Sequence, residues 1–325
     1  MKLPRRNFLH LAAGAATLPA LSRSALGLDY PTKPIRLVVA VPPGGYFDIV
    51  GRLVAESLSE RLGQHVIVEN RAGAGTNVGT GFVAHAPADG YTLLVCGSPS
   101  AINATLYDNL DFVFARDIAP VASISRGPLI MAVNPALPAK TIAQFISYAK
   151  ANPGKVNMGT GGIGSTGDVA GALFSMMAAL KITRVPYRGE VPAVTDLIGG
   201  QVHVVFVNAA SAINFVKAGT LRALGVSSST RMNILPDVPA IAEVVPGYEA
   251  SGWIGIGAPA NTPTEIINRL NKEANTALVD PKFVARLAEL GVVPMPMTPA
   301  EFGKFITDET EKWGKVIKTA NIKPE

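Results

Sequence analysis

The chain has 325 residues, 48% of them hydrophobic and 16% charged, and a formal net charge of +5 with a pI near 9.3. Residues 1–27 hold Lys2, Arg5, Arg6 and Arg23 and no acid; without them the net charge of +5 falls to +1. That removes most of the electrostatic case for a nucleic-acid surface, and no Lys/Arg cluster with interleaved aromatics replaces it.

Residues 1–27 read as a signal peptide. Lys2, Arg5 and Arg6 form a basic start, Phe8 to Leu21 an apolar run, and Ala25-Leu26-Gly27 a small-residue cleavage site. At 14 residues the apolar run is shorter than the ~20 that span a bilayer. Pro4-Arg5-Arg6-Asn7-Phe8-Leu9 fits a twin-arginine signal, and an ordinary secretory signal is the other reading; either exports the protein. The mature 298 residues, 325 less 27, suffice for two domains.

From Ile35 onward, strand-like and helix-like segments alternate, which predicts an α/β protein with a largely parallel sheet. Ile35–Val41 is the first predicted strand. It enters the turn Pro42-Pro43-Gly44-Gly45-Tyr46-Phe47-Asp48 and an amphipathic helix that stops at Gly63. A strand over His65–Asn70 follows, then a loop through Gly73 and Gly75 into a second helix. Asp89-Gly90 turns the chain into a strand through Cys96, which runs into Gly97-Ser98-Pro99-Ser100. Cys96 is the single cysteine, so no intrachain disulfide forms and a buried strand position is expected.

Leu129–Val133 is a further predicted strand. Thr141 is placed as the cap of the next helix, with Gln144 at the capping-box position and Asn152-Pro153-Gly154 at its end. Val156-Asn157-Met158 leads into Gly159-Thr160-Gly161-Gly162-Ile163-Gly164-Ser165-Thr166-Gly167-Asp168 and another helix start. Lys181–Val185, Gln201–Val207 and Leu221–Val226 complete the predicted strands, with Pro186-Tyr187-Arg188-Gly189-Glu190 as one exit loop and Asn208 and Ser211 past another. Thr262-Pro263-Thr264-Glu265 and Thr298-Pro299-Ala300-Glu301 each read as an N-cap, a first-turn proline and a Glu at the third position. Phe302, Phe305, Ile306, Trp313, Val316 and Ile317 form an apolar stripe of core type on the last helix.

Free N–H groups and the positive dipole end at a helix N-terminus attract anions. Two glycine-rich strand-to-helix turns, at Gly44–Asp48 and Gly159–Asp168, therefore suggest capture of a small acid without any catalytic residue. A tight βα turn capped by Asp48 is the structural alternative for the first. No Gly-Lys-Ser/Thr follows it, so it is not a P-loop. Gly159-x-Gly161-x-x-Gly164 matches a dinucleotide fingerprint, but no acid ends the next strand at Val185-Pro186-Tyr187-Arg188. His65, His85 and His203 have no metal-ligand spacing, and no Gly-x-Ser-x-Gly or His-Glu-x-x-His occurs. An exported enzyme on this fold would have only Asp48 or Asp168 as a base.

Several runs together resemble the tripartite tricarboxylate transporter substrate-binding proteins, also called Bug proteins. They are Pro43-Gly44-Gly45-x-x-Asp48 with Arg52, Val68-Glu69-Asn70-Arg71-Ala72-Gly73-Ala74-Gly75, and Asp89-Gly90-Tyr91-Thr92-Leu93-Leu94. The likeness continues through Ala149–Lys155, Val185–Gly189, Leu197–Val202 and Leu235–Pro239, across essentially the whole mature chain. The resemblance implies a two-domain periplasmic-binding-protein fold with a ligand cleft between residues 28–127 plus 251–325 and residues 128–250. It also implies a small organic acid ligand, no cofactor, membrane transporter subunits as partners, and a monomer in the periplasm. A sensor partner for a membrane kinase is the alternative.

Carried over by matching position, the ligand contacts are Gly44, Gly45, Tyr46, Phe47, Asp48, Ser98, Gly161, Gly164, Ser165, Thr166, Tyr187 and Asn208. Asp168 stands where the family often has His, Val207 where it often has Asp, and Tyr46 and Phe47 are bulkier than usual. A cleft-facing Asp168 would repel a second anionic group. The ligand expected on that ground is a monoacid, an aromatic acid stacked on Tyr46, or an amino-bearing acid. The other reading of Asp168 is a Ser165-x-x-Asp168 capping pair.

Overall fold

A computed structural model describes residues 29–324; the predicted signal peptide and its twin-arginine pattern lie outside them. The strands are β1 (Ile35–Val39), β2 (Val66–Asn70), β3 (Thr92–Gly97), β4 (Ile118–Val133), β5 (Val156–Thr160), β6 (Ile182–Pro186), β7 (Val204–Asn208), β8 (Arg222–Val226), β9 (Ser251–Pro259) and β10 (Val293–Pro294). Between and after them run the helices α1 (Tyr46–Leu62), α2 (Asn77–Ala84), α3 (Ser98–Leu106), α4 (Phe114–Asp117), α5 (Ile142–Ala151), α6 (Thr166–Met177), α7 (Glu190–Ile198), α8 (Ala209–Lys217), α9 (Thr264–Ala277), α10 (Pro281–Glu289) and α11 (Pro299–Thr319). None of the described helices is long and apolar enough to cross a membrane.

The strands form one mixed sheet in the order β2-β1-β3-β9-β4-β7-β5-β6, with β8 and β10 also paired to β4. The βαβ units are parallel, as alternation predicts: β1 with β2 and β3, and β5 with β6 and β7. The middle is antiparallel, because β9 joins β3 to β4 and β4 joins β7. Residues 118–128 of β4 pair with β9, and residues 129–133 pair with β7 and β8. The chain thus leaves on one strand and returns on its neighbour, and a strand pair that does so must run in opposite directions.

The sequence reading places a strand only at 129–133 of β4 and none at β9. Pro120, Gly127 and Pro128 disguise the first half of β4, which bends through register shifts between Pro120 and Ala122 and between Ser123 and Ser125. Gly252, Gly255 and Gly257 disguise β9, since glycine is a poor strand former. Their absent side chains admit neighbours: a Cβ on Gly255 would lie 2.2 Å from the Phe302 ring, and one on Gly257 2.4 Å from Ile118 Cγ2.

Alternation along β7 divides two cores. Phe206 joins Phe145, Phe174, Tyr248, Trp313 and Ile317 on one face, while Val205 and Val207 join Ile130, Val194, Leu197 and Ile213 on the other. A third core collects Val38, Leu94, Cys96, Phe112, Trp253 and Phe302. Burial pushes the Cys96 thiol up to about 12, so it stays protonated and inert. On α11, Phe302, Ile306, Trp313 and Ile317 are buried, with Phe305 and Val316 packed beside them.

The caps follow local chemistry. Thr298 accepts from Glu301 N at 3.2 Å while Glu301 Oε2 accepts from Thr298 N at 2.8 Å, a closed capping box. Thr141 Oγ accepts from Gln144 N, but Gln144 Oε1 accepts from Lys140 N rather than from the cap residue. Thr262 differs from expectation: α9 starts at Thr264 after Pro263, because the Thr262 hydroxyl donates to Pro259 O at 2.7 Å instead of facing the helix.

Candidate functional site

Four loops that leave the sheet line a cavity of about 690 Å³. They are the first turn from Ala40 to Phe47, the Ala72–Thr76 loop, the second glycine turn from Gly161 to Thr166, and Tyr187–Pro192; Pro99 and Asn208 complete it. Eight of the expected contacts stand in this lining: Gly45, Tyr46, Phe47, Gly161, Ser165, Thr166, Tyr187 and Asn208. Gly44, Asp48, Ser98, Gly164 and Asp168 do not: the last four are buried behind the wall, and the exposed Gly44 donates its N–H to Asp48.

Asp48 holds the first turn from beneath. Its Oδ2 accepts from Gly44 N at 2.9 Å and Arg52 Nε at 3.1 Å, and its Oδ1 accepts from Arg52 Nη2 and Asn70 Nδ2, both at 2.9 Å. Burial alone would raise this carboxyl; the Arg52, Gly44 and Asn70 bonds outweigh it and hold it below the usual carboxylate range. Ser98 is fully buried, where its Oγ accepts from Trp253 N at 3.0 Å.

Asp168 plays the same part under the second turn. Its Oδ2 accepts from Gly164 N at 3.2 Å, and Arg184 Nη1 reaches both oxygens at 2.8–3.0 Å. Its N–H donates to Ser165 Oγ at 3.3 Å, which caps α6. Burial raises the Asp168 carboxyl despite Arg184 and Gly164. A residue 1% exposed and already paired is not the cleft-facing anion from which the ligand class was argued. Val207 likewise faces a core.

The two bulky residues of the first turn divide their roles. The Tyr46 ring is 1% exposed, and its hydroxyl meets Ser125 Oγ at 2.9 Å, so it offers no face for stacking. Phe47 is half-buried in the lining and meets Tyr46 edge-on, with centroids 5.7 Å apart. The aromatic surface available to a ligand is therefore that of Phe47. Helix α1 begins here after Gly45 without a side-chain cap, which leaves its first N–H groups to a ligand.

Tyr187 is oriented by a 2.6 Å hydrogen bond from its hydroxyl to Asp196 Oδ2; desolvation and that carboxylate push the phenol up to about 12. Sequence reasoning missed Glu190. It is the first residue of α7, where an acid reads simply as favourable to the helix dipole. In the fold its Oε1 accepts from Asn208 Nδ2 at 2.6 Å and more weakly from Asn208 N, while Oε2 accepts from Ser211 Oγ. Burial, opposed by these donors, raises the Glu190 carboxyl. It also missed the Ala72–Thr76 loop as a wall, although Gly73 and Gly75 marked a backbone able to approach a ligand.

No group of three or more His, Cys, Asp or Glu placed to hold a metal occurs among the described residues. The Gly159-x-Gly161-x-x-Gly164 run does lead from the end of β5 toward α6. However, Asp168 sits on the Gly164 N–H where a pyrophosphate would need it.

Residues 50–322 match the family described as the tripartite tricarboxylate transporter family receptor. The chain belongs to this family. Protein BugT of Bordetella pertussis is 37% identical over 297 residues, covering 90% of this chain and 91% of BugT. Among solved structures, R. palustris Rpa4515 with adipate superposes with a TM-score of 0.89 at 37% identity, over 91% of this chain and 100% of that one. MatC from Rhodopseudomonas palustris with bound malate gives 0.84 at 29% identity, over 89% and 100%. The receptor fold and the sequence resemblance therefore agree over nearly the full described length.

Proposed function

We propose that this receptor captures a small carboxylate-bearing molecule in the cavity and delivers it, as a monomer, to the membrane subunits of a tripartite tricarboxylate-type transporter. Export to the periplasm with loss of residues 1–27 precedes this. The reading assigns the chain no catalytic residue and no cofactor, and its ligand contacts are the lining residues among those expected from the sequence.

The observation that carries the proposal is the composition of the cavity wall. The Ala40–Phe47 and Ala72–Thr76 segments and Pro99 come from residues 28–127; Gly161–Thr166, Tyr187–Pro192 and Asn208 come from residues 128–250. A ligand seated there bridges two lobes joined by β4 and β9, which suits closure by a hinge. The ligands of Rpa4515 and MatC, adipate and malate, are acids of the size such a cavity accommodates.

Thermal unfolding of the purified protein against a panel of organic acids tests this. A ligand at about 100 times its dissociation constant adds about 2.7 kcal/mol, so one acid class raises the melting temperature clearly. Stabilisation by NADPH alone, with no response to acids, would overturn the reading.

A further inference from the structure

The N-terminus of α8 is already occupied by an anion of the chain's own. Asn208 N, Asn208 Nδ2 and the Ser211 hydroxyl all converge on the Glu190 carboxylate. These donors sit where another receptor could bind an anion of its ligand. Among the described residues no ion pair includes Glu190, and the nearby Tyr46 hydroxyl is committed to Ser125. A carboxylate offers about four acceptor positions, and three are used, so Glu190 keeps one for a donor from the cavity.

The cavity also holds groups of the opposite character. The uncapped start of α1 lies at Gly45–Phe47, and Arg188, exposed in the lining, is in no ion pair among the described residues. The lining thus offers donors that suit a carboxylate and, at Glu190, an acceptor that suits a hydrogen-bond-donating cation.

We propose that Glu190 determines specificity, and that the ligand carries one carboxylate and, apart from it, an ammonium group that Glu190 receives. This rests on the receptor reading above and narrows it. A dicarboxylate would place its second anion against Glu190, and like charges brought together in a desolvated site disfavour the wrong partner. The ammonium supplies the counter-ion whose absence lets burial raise the Glu190 carboxyl. The charge that sequence reading sought at Asp168 is neutralised there by Arg184; at Glu190 it is not.

Titration calorimetry at neutral pH on the purified protein decides it, with straight-chain dicarboxylates, the α- and ω-amino monocarboxylates of matching length, and the plain monocarboxylates. The expected result is an amino-bearing acid bound at least about 10-fold more tightly than both counterparts, with that preference lost in Glu190→Gln. Gln can still accept from Asn208 and donate to Ser211, and thermal unfolding confirms that the variant folds. A wild-type preference for a dicarboxylate, or a preference unchanged in Glu190→Gln, would overturn the inference and leave the receptor reading standing. Silence toward every carboxylate would overturn both.

Discussion

Asp48→Ala tests whether the first turn is held from below. The substitution removes four hydrogen bonds, from Gly44 N, Asn70 Nδ2 and two Arg52 nitrogens. The Arg52 side chain is 54% exposed, so its fork counts only as a surface ion pair, about 0.5–1 kcal/mol. The bonds from Gly44 and Asn70 to a charged acceptor contribute about 1.5 kcal/mol each. Relief of the cost of burying the carboxylate offsets part of this, leaving a net loss of about 2–3 kcal/mol. For a chain of this size that is a fall in melting temperature of roughly 3–5 °C.

The pH dependence gives the sign. Asp48 is held below its ordinary value, so its stabilisation is complete above that value and is lost as pH falls through the lowered one. Calorimetric melts of wild type and variant should differ fully at neutral pH and converge as pH falls below the ordinary carboxylate range. A variant that melts with the wild type at pH 7, or a gap that persists unchanged in acid, would refute the reasoning.

Arg184→Ala should destabilise by about 2–3 kcal/mol, because it strands the buried Asp168 carboxylate. Adding Asp168→Asn should recover part of the loss in chemical denaturation, and a purely additive double variant would count against the pair. Gly255→Ala should cost about 3 kcal/mol by driving a methyl into the Phe302 ring and Ala122 O, again read by denaturant melts; a near-neutral result would contradict that packing. Glu190→Gln should raise the melting temperature of the ligand-free protein at neutral pH. A carboxyl raised by burial costs stability as pH climbs through its ordinary value. The gain should fade in acid, and a lower melt at pH 7 would contradict it.

What the sequence makes legible is what is local. Strand, glycine turn and helix start at Gly44–Asp48 and Gly161–Asp168 each follow from neighbouring residues, and both turns reach the cavity. The antiparallel β9–β4 seam escapes sequence reading because its glycines matter only once Phe302 and Ile118 arrive from elsewhere. Tyr46 and Phe47 cannot be told apart by type; which ring faces the ligand depends on how α1 sits on β4, where Ser125 waits for the Tyr46 hydroxyl. Asp168 reads as a free acid until β6 brings Arg184 alongside, and Glu190 as a helix-start acid until β7 delivers Asn208.

Amide hydrogen exchange of the purified protein, with and without the acid that stabilises it most, addresses the capture of a carboxylate between the two glycine turns directly. Protection is expected together in the backbone of residues 43–49, 161–168, 187–192 and 208–211, on both sides of the cavity. Protection confined to one side, or lying away from the cavity altogether, would contradict it.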